Sequence, residues 1–255
     1  MPAFRPRHRR RGGPWPPLLA RLALGLLVAA ALMMGGAGPA HRFELLSPGT
    51  AFDLLRLGAY LALGAAVLGL VTLVAASLCR RWRPALTGGL VLLVVAAMMA
   101  VPWQLMQRAQ SVPPIHDITT DLDAPPAFEA LAEAREAAPN AVGYPGEFAD
   151  PQREAYPEIR PLLIDLPLAS VLGAAEAAAL DQGWEIASLT ETGLEATATT
   201  FWFGFRDDVA VRLTETPAGV RVDVRSASRM GRSDLGTNAA RIRAYLDALQ
   251  QRTAP

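Results

Sequence analysis

The sequence predicts an α+β fold, a mostly antiparallel sheet with helices on one face, preceded by about three transmembrane helices, and three observations predict it. Apolar stretches of about twenty residues crowd the first 110 positions. Short runs of alternating apolar and polar residues fill the last hundred. The charge is divided between the two parts: residues 1–110 hold twelve arginines against only Glu44 and Asp53, and the excess of acid lies beyond them. An arginine-flanked membrane anchor joined to an acidic folded domain has that division, and it argues against nucleic acid as the domain's partner. The chain therefore divides into a membrane anchor at 1–110, a proline-rich lead-in with a short helix at 111–158, and an α+β domain at 159–255.

The apolar segments run over residues 18–36, 57–78 and 85–103. Lipid offers the backbone no hydrogen-bond partner, so such runs are helices. Arginines orient them, because Lys and Arg gather in cytoplasmic loops. The run "RPRHRRR" at 5–11 precedes the first helix and "CRRWRP" at 79–84 joins the second to the third, whereas 37–56 carries mixed charge. Trp15, Trp82 and Trp103 mark helix ends, where indole favours the interface. The expectation is a multi-pass protein of the inner (cytoplasmic) membrane, N-terminus cytoplasmic, with the C-terminal domain periplasmic or extracellular. A basic start and "GAGPA" at 36–40 also describe a signal peptide cut after Ala40. That cut leaves the C-terminal domain on the same side. Gly25 with Ala29 and Ala65 with Gly69 have the spacing that lets helices approach, with weak packing as the alternative. No acid lies inside an apolar core, which disfavours transport.

In the outer part, "AFEALAEAREAA" is helical and is ended by Pro139 and Gly143, and the stretch to Tyr156 is an aperiodic loop. "RPLLID" is a strand, Pro167 opens a helix with an apolar face at Leu168, Val171, Leu172, Ala175 and Ala179, and Gly183 caps it. "WEIASL" and "GLEATATTFWF" form a hairpin around Thr192 and Gly193. "DDVAVRLTE" and "GVRVDVRS" form a second, turning at Thr216 to Gly219. Val209, Val211 and Leu213 share a face with Val220, Val222 and Val224, and Asp208, Arg212, Arg221, Asp223 and Arg225 lie opposite; the register of this hairpin stays open. A final helix at 237–250 presents Ile242, Tyr245, Leu246 and Leu249. The order is β-α-β-β-β-β-α, with both helices on the apolar side of the sheet.

The polar stretch "SRMGRSDLGTN" at 228–238 must turn the chain from the last strand into the last helix. Gly231 and Gly236 permit positive φ, and Asp234 or Thr237 can cap the helix. Two readings compete. In one, Arg225, Arg229, Arg232, Ser233, Asp234 and Asn238 frame an anion or ligand site at a helix N-terminus. In the other, these arginines are structural and pair with Asp207, Asp208, Asp223 and Asp234, Arg206 being a further ion-pair candidate.

"TTFWFGFRDDVAVRL", "GVRVDVRSASRMGRSDLGTNAARI" and, upstream, "IHDITTD" with "APPAF" resemble the motifs of the bacterial and plastid domain-of-unknown-function family 1499, over residues 113–249. The resemblance implies no established reaction, cofactor or catalytic residue. It marks Arg206, Asp207, Asp208, Arg225, Ser226, Arg229, Gly231, Arg232, Ser233, Asp234, Gly236 and Asn238 as positions that match the central motifs. Hydrophobic helices ahead of the domain are expected in some relatives.

Catalytic constellations are scarce. The chain has no lysine, which excludes Schiff-base lysines and a phosphate-loop GK[ST]. Cys79 is alone, so no intramolecular disulfide exists. His116 has no cysteine or second histidine near it for zinc, and Asp117, Asp121 and Asp123 miss calcium-loop spacing. Neither metal nor cofactor is implied. Asp207 and Asp208 face opposite ways if both lie in a strand, which weakens them as a paired acid and base. "FWFGF" at 201–205 reads as core rings on a strand, with an apolar pocket or bilayer contact as the alternative. Together these favour a binding or envelope-associated module, partnered by the lipid bilayer and a protein or small molecule of unassigned identity. A lipid or apolar-ligand binder and a carboxylate-dependent hydrolase are the alternatives.

Overall fold

A computed structural model describes residues 13–254, and the basic run at 5–11 lies outside the described residues. The chain forms two compact units, Met1–Gln104 and Leu105–Pro255. The first holds α1 (Trp15–Arg42), α2 (Pro48–Leu78) and most of α3 (Trp82–Ser111), three helices long and apolar enough to cross a membrane. Each outruns its predicted apolar run, because polar residues at a span's ends do not break a helix. Ser47 caps α2, its Oγ accepting from Thr50 N–H at 3.2 Å.

Small residues set the helix packing. Gly58, Ala62, Ala65, Gly69, Thr72 and Ala76 form one buried stripe on α2, spaced alternately by four and three residues. A Cβ on Gly58 would come within 2.6 Å of Met34 Cγ on α1, and one on Gly88 of α3 within 2.5 Å of Gly69 O. Ala65 and Gly69 therefore lie where close approach was expected. Gly25 does not: it is exposed and its Cβ would meet nothing, because Ala23, Leu27 and Ala30 form the packed face of α1 instead.

The second unit is an antiparallel sheet of β1 (Asp117–Thr119), β2 (Leu162–Ile164), β3 (Glu185–Thr190), β4 (Gly193–Thr199), β5 (Arg206–Thr216) and β6 (Gly219–Ser228). The order is β1-β6-β5-β4-β3, and β2 also pairs with β6. The open register is set by a two-residue loop, Pro217-Ala218, which places Arg212 opposite Asp223, Ala210 opposite Arg225 and Val211 opposite Val224. Gly219 has φ 121°, and a Cβ there would come within 2.5 Å of Ile164 O, so the turn and the docking of β2 both require glycine.

Helices α6 (Leu168–Asp181) and α7 (Thr237–Thr253) cover the valine face, as the apolar periodicity predicts. Val171, Ala175, Ile242, Tyr245 and Leu249 are fully buried there. Trp184 stacks on Tyr245 at 4.9 Å, and the Tyr245 hydroxyl donates to Ala175 O at 3.1 Å.

The other face is where the sequence reading falls short. β1 adds a strand, and the chain that follows covers the charged side of the sheet with Phe128, Leu131 and α4 (Ala132–Glu136). A 3-10 turn (Gly146–Phe148) and α5 (Ala149–Ala155) follow where an aperiodic loop was expected, with Phe148 against the apolar core and Gln152 bonded to Thr119 of β1. The predicted helix at 127–138 shrinks to α4. Glu195 of β4 accepts from the N–H groups of Glu129, Ala130 and Leu131 at 2.9–3.0 Å, so a distant carboxylate sets where that segment turns. β4 also stops before the rings of "FWFGF". Thr200 closes a tight turn, its N–H donating to Phe205 O at 2.8 Å and its Oγ1 accepting from Phe205 N–H at 2.9 Å, with Gly204 at φ 70°. These aromatic residues are thus the tip of the β4–β5 hairpin, and Phe201 is 90% exposed rather than in the core.

Candidate functional site

The alternation of β5 sends its two adjacent acids to opposite faces, as a strand must. Asp207 turns toward α7 and pairs with Arg241 at 2.5 Å. Asp208, with no exposure, turns to the charged face. Its carboxylate accepts from Arg135 Nη1 at 3.0 Å, from Arg229 Nε and Nη2 at 2.9 and 2.8 Å, and from Thr197 Oγ1 at 3.0 Å. Two guanidiniums on one carboxylate leave positive charge, and β1 supplies a second acid nearby. Asp117 binds Arg225 in a two-pronged pair, at 3.0 Å to Nε and 2.7 Å to Nη2. The Cζ atoms of Arg135 and Arg225 each lie 4.6 Å from the ring centroid of Phe128, which is 5% exposed. Arg225 also donates to the carbonyls of Pro126 and Val142, and Arg135 to those of Ala141 and Ala227.

Further along the same face, Asp121 and Asp223 are both shared by Arg212 and Arg221, at 2.8–3.0 Å. Burial pushes the Asp121 carboxyl up, but the N–H groups of Ala124 and Asp123 and the two guanidiniums outweigh it and hold it below the usual carboxylate range. Burial raises Asp117 despite Arg225, and it lowers Arg135 despite Asp208. His116 is lowered by burial too, and its ring packs edge-on against Phe148 at 5.0 Å.

At the strand-to-helix junction, Asn238 is buried; its Oδ1 accepts from Ser226 Oγ at 2.8 Å and from Arg241. Its Nδ2 donates to His116 O at 2.9 Å and Ser228 Oγ at 3.1 Å. Asp234 occupies the N-terminus of α7, accepting from Gly236 N–H at 2.8 Å and Asn238 N–H at 2.7 Å. Burial raises its pKa above the ordinary value. An external anion would need those same amides, so the capping role expected of Asp234 fills the position where an anion would sit. Ser233 Oγ accepts from Leu235 N–H, at 3.2 Å.

The structure thus brings Arg229 to Asp208 but gives Arg225 to Asp117 and Asp223 to Arg212 and Arg221. Arg206 and Arg232 are exposed and make no ion pair among the described residues. Sequence reasoning missed Arg135, Phe128, Asp117, Asp121 and Arg241 as partners. One signal was available: β5 and β6 place five charged residues on one face, more than a simple solvated face needs. Arg135 carried none, since it sits in "EALAEAREAA", which reads as a surface helix.

Chemically, the face is a set of arginine–carboxylate pairs, buried at Arg135–Asp208 and Arg225–Asp117 and partly open to water at Arg212 and Arg221. Asp207 and Asp208 diverge and each is bound to arginine, so they form no acid–base couple. Among the described residues, no group of three or more His, Cys, Asp or Glu could hold a metal ion. Neither a curated protein nor a solved structure matches the chain. The family model described as "Protein of unknown function (DUF1499)" matches residues 117–249, from the first residue of β1 into α7. That span holds the whole arginine–carboxylate network and more than half of the sequence, and the chain belongs to the DUF1499 family.

Proposed function

We propose that the chain is a membrane-tethered, envelope-associated binding module that holds its folded domain outside the cytoplasm and engages a lipid surface through the β4–β5 tip. The observation that carries this reading is the exposure of Phe201 and Trp202, at 90% and 39%, in a domain that keeps its charged motif residues largely in internal pairs. Removing a large apolar side chain from water is worth about 1.5–3 kcal/mol, so a tip left this open favours an apolar partner. The tip is also braced. Phe203 and Phe205 stack at 4.9 Å with 8° between their planes, and Trp202 packs edge-on against Phe203 at 5.6 Å. A braced tip loses little conformational freedom on binding. Indole and phenyl rings suit a bilayer interface, and three apolar helices keep the chain beside one. The placement outside the cytoplasm rests on Arg80 and Arg81 in the α2–α3 connection and Arg83 at the start of α3, against the mixed charge of residues 37–56.

The test replaces the native cysteine and moves it to the tip, Cys79→Ser with Phe201→Cys, in the full chain. An impermeant maleimide should label Cys-substituted position 201 in cells with only the outer face accessible, and an environment-sensitive fluorophore there should be quenched by brominated lipids in proteoliposomes. Labelling only after lysis defeats the sidedness. Quenching by aqueous iodide alone defeats the lipid contact.

A further inference from the structure

We propose that the groove between α2 and α3 is a binding site for one anionic phospholipid, whose phosphodiester is held by Arg80 and Arg81. The groove measures about 820 Å3, within the range of small-molecule sites, and lies wholly within the membrane unit. Its walls are apolar: Leu73 of α2 faces Leu86, Leu90 and Leu93 of α3. Its rim is not. Arg80 and Arg81 of the connection and Trp82, the first residue of α3, stand at one end.

Two observations point to an anion at that rim. The Nε of Arg81 is buried and has no hydrogen-bond partner among the described residues. A buried guanidinium N–H without an acceptor is costly, and native structures supply one. Secondly, the positive charge has no internal counterpart: Arg80, Arg81 and Arg83 make no ion pair among the described residues, while Arg56, elsewhere in this unit, pairs with Asp53. Glu44, the other acid of residues 1–104, lies in the α1–α2 connection. This contrasts with the second unit, where arginine after arginine has its carboxylate.

The apolar walls choose among anions. From Arg81 to Leu93 the helix rises about 18 Å at 1.5 Å per residue. That is close to one leaflet, half of the roughly 30 Å hydrocarbon core. An acyl chain matches the walls and a phosphodiester matches the rim; a free phosphate uses only the rim. A choline headgroup would bring its own cation to the arginines, so phosphatidylglycerol fits better than phosphatidylcholine.

Native mass spectrometry of the full chain in nonionic detergent tests this, with phosphatidylglycerol and phosphatidylcholine of identical chains added in turn. With two arginines drawing the anionic headgroup, retention of phosphatidylglycerol should exceed that of phosphatidylcholine roughly thirtyfold. Arg80→Gln with Arg81→Gln should abolish the preference, and Arg80→Lys with Arg81→Lys should keep most of it. Gly89→Leu, which fills the groove and leaves the arginines, should lower retention of both lipids. The proposal is overturned if the glutamine variant keeps the preference, if Gly89→Leu changes nothing, or if millimolar inorganic phosphate displaces the lipid.

Discussion

Asp208→Ala tests whether the charged face is structure or site. Asp208 and Arg135 are both fully buried, and after the substitution Arg135 would keep only the neutral carbonyls of Ala227 and Ala141 within hydrogen-bond distance. Breaking a buried pair by removing one partner costs about 3–5 kcal/mol, because the remaining charge is stranded. For a domain of this size each kcal/mol shifts the melting midpoint by about 2–4 °C, so the fall should be roughly 6–20 °C. Arg229→Ala should cost less. Its side chain is 14% exposed, and Asp208 keeps Arg135 in its absence. Thermal unfolding of the full chain in detergent, followed by intrinsic fluorescence, is the assay; Trp184, buried and stacked on Tyr245, reports the loss of the α6–α7 core. A midpoint within about 2 °C of the parent would refute the reasoning, since a stranded buried arginine cannot be that cheap.

Two further perturbations separate capping and pairing from ligand binding. Asp234→Ala removes the carboxylate from the N-terminus of α7 and should destabilise by about 0.5–2 kcal/mol; added sulfate should then stabilise the variant more than the parent, and an equal effect on both would show that Asp234 does not fill an anion position, since sulfate stabilises folded chains generally. Asp121 is held below its ordinary pKa, so its contribution is fully present above the unfolded value and is lost as pH falls through the depressed one; Asp121→Asn should lower the denaturation midpoint at pH 7 by an amount that shrinks progressively as pH falls below 3.8, and a loss independent of pH would show that the charge of Asp121 does not matter.

Local signals made the first unit and half of the second readable. Twenty-residue apolar runs, period-two alternation in β5 and β6, and Pro167 and Gly183 around α6 each act through neighbours in sequence. Of the stripe from Gly58 to Ala76 small-residue spacing marked only Ala65 and Gly69, and it marked Gly25 as well, which is exposed, because spacing alone does not say which face of a helix is packed. The hairpin tip was misread because Thr200 and Gly204, which bend it, lie among rings that alternate like a strand.

The sequence alone determined three helices of membrane length, the antiparallel α+β sheet, its apolar and charged faces, and membership of the family. Tertiary structure decided which carboxylate each arginine received. Asp117 and Arg225 are 108 residues apart, and Arg135 and Asp208 are 73 apart. Periodicity reaches only a few residues and fixes the direction of a side chain, whereas an ion pair needs a position, and position comes from pairing β1 with β6, which sets Asp117, and from folding Phe128 to Arg135 onto the sheet.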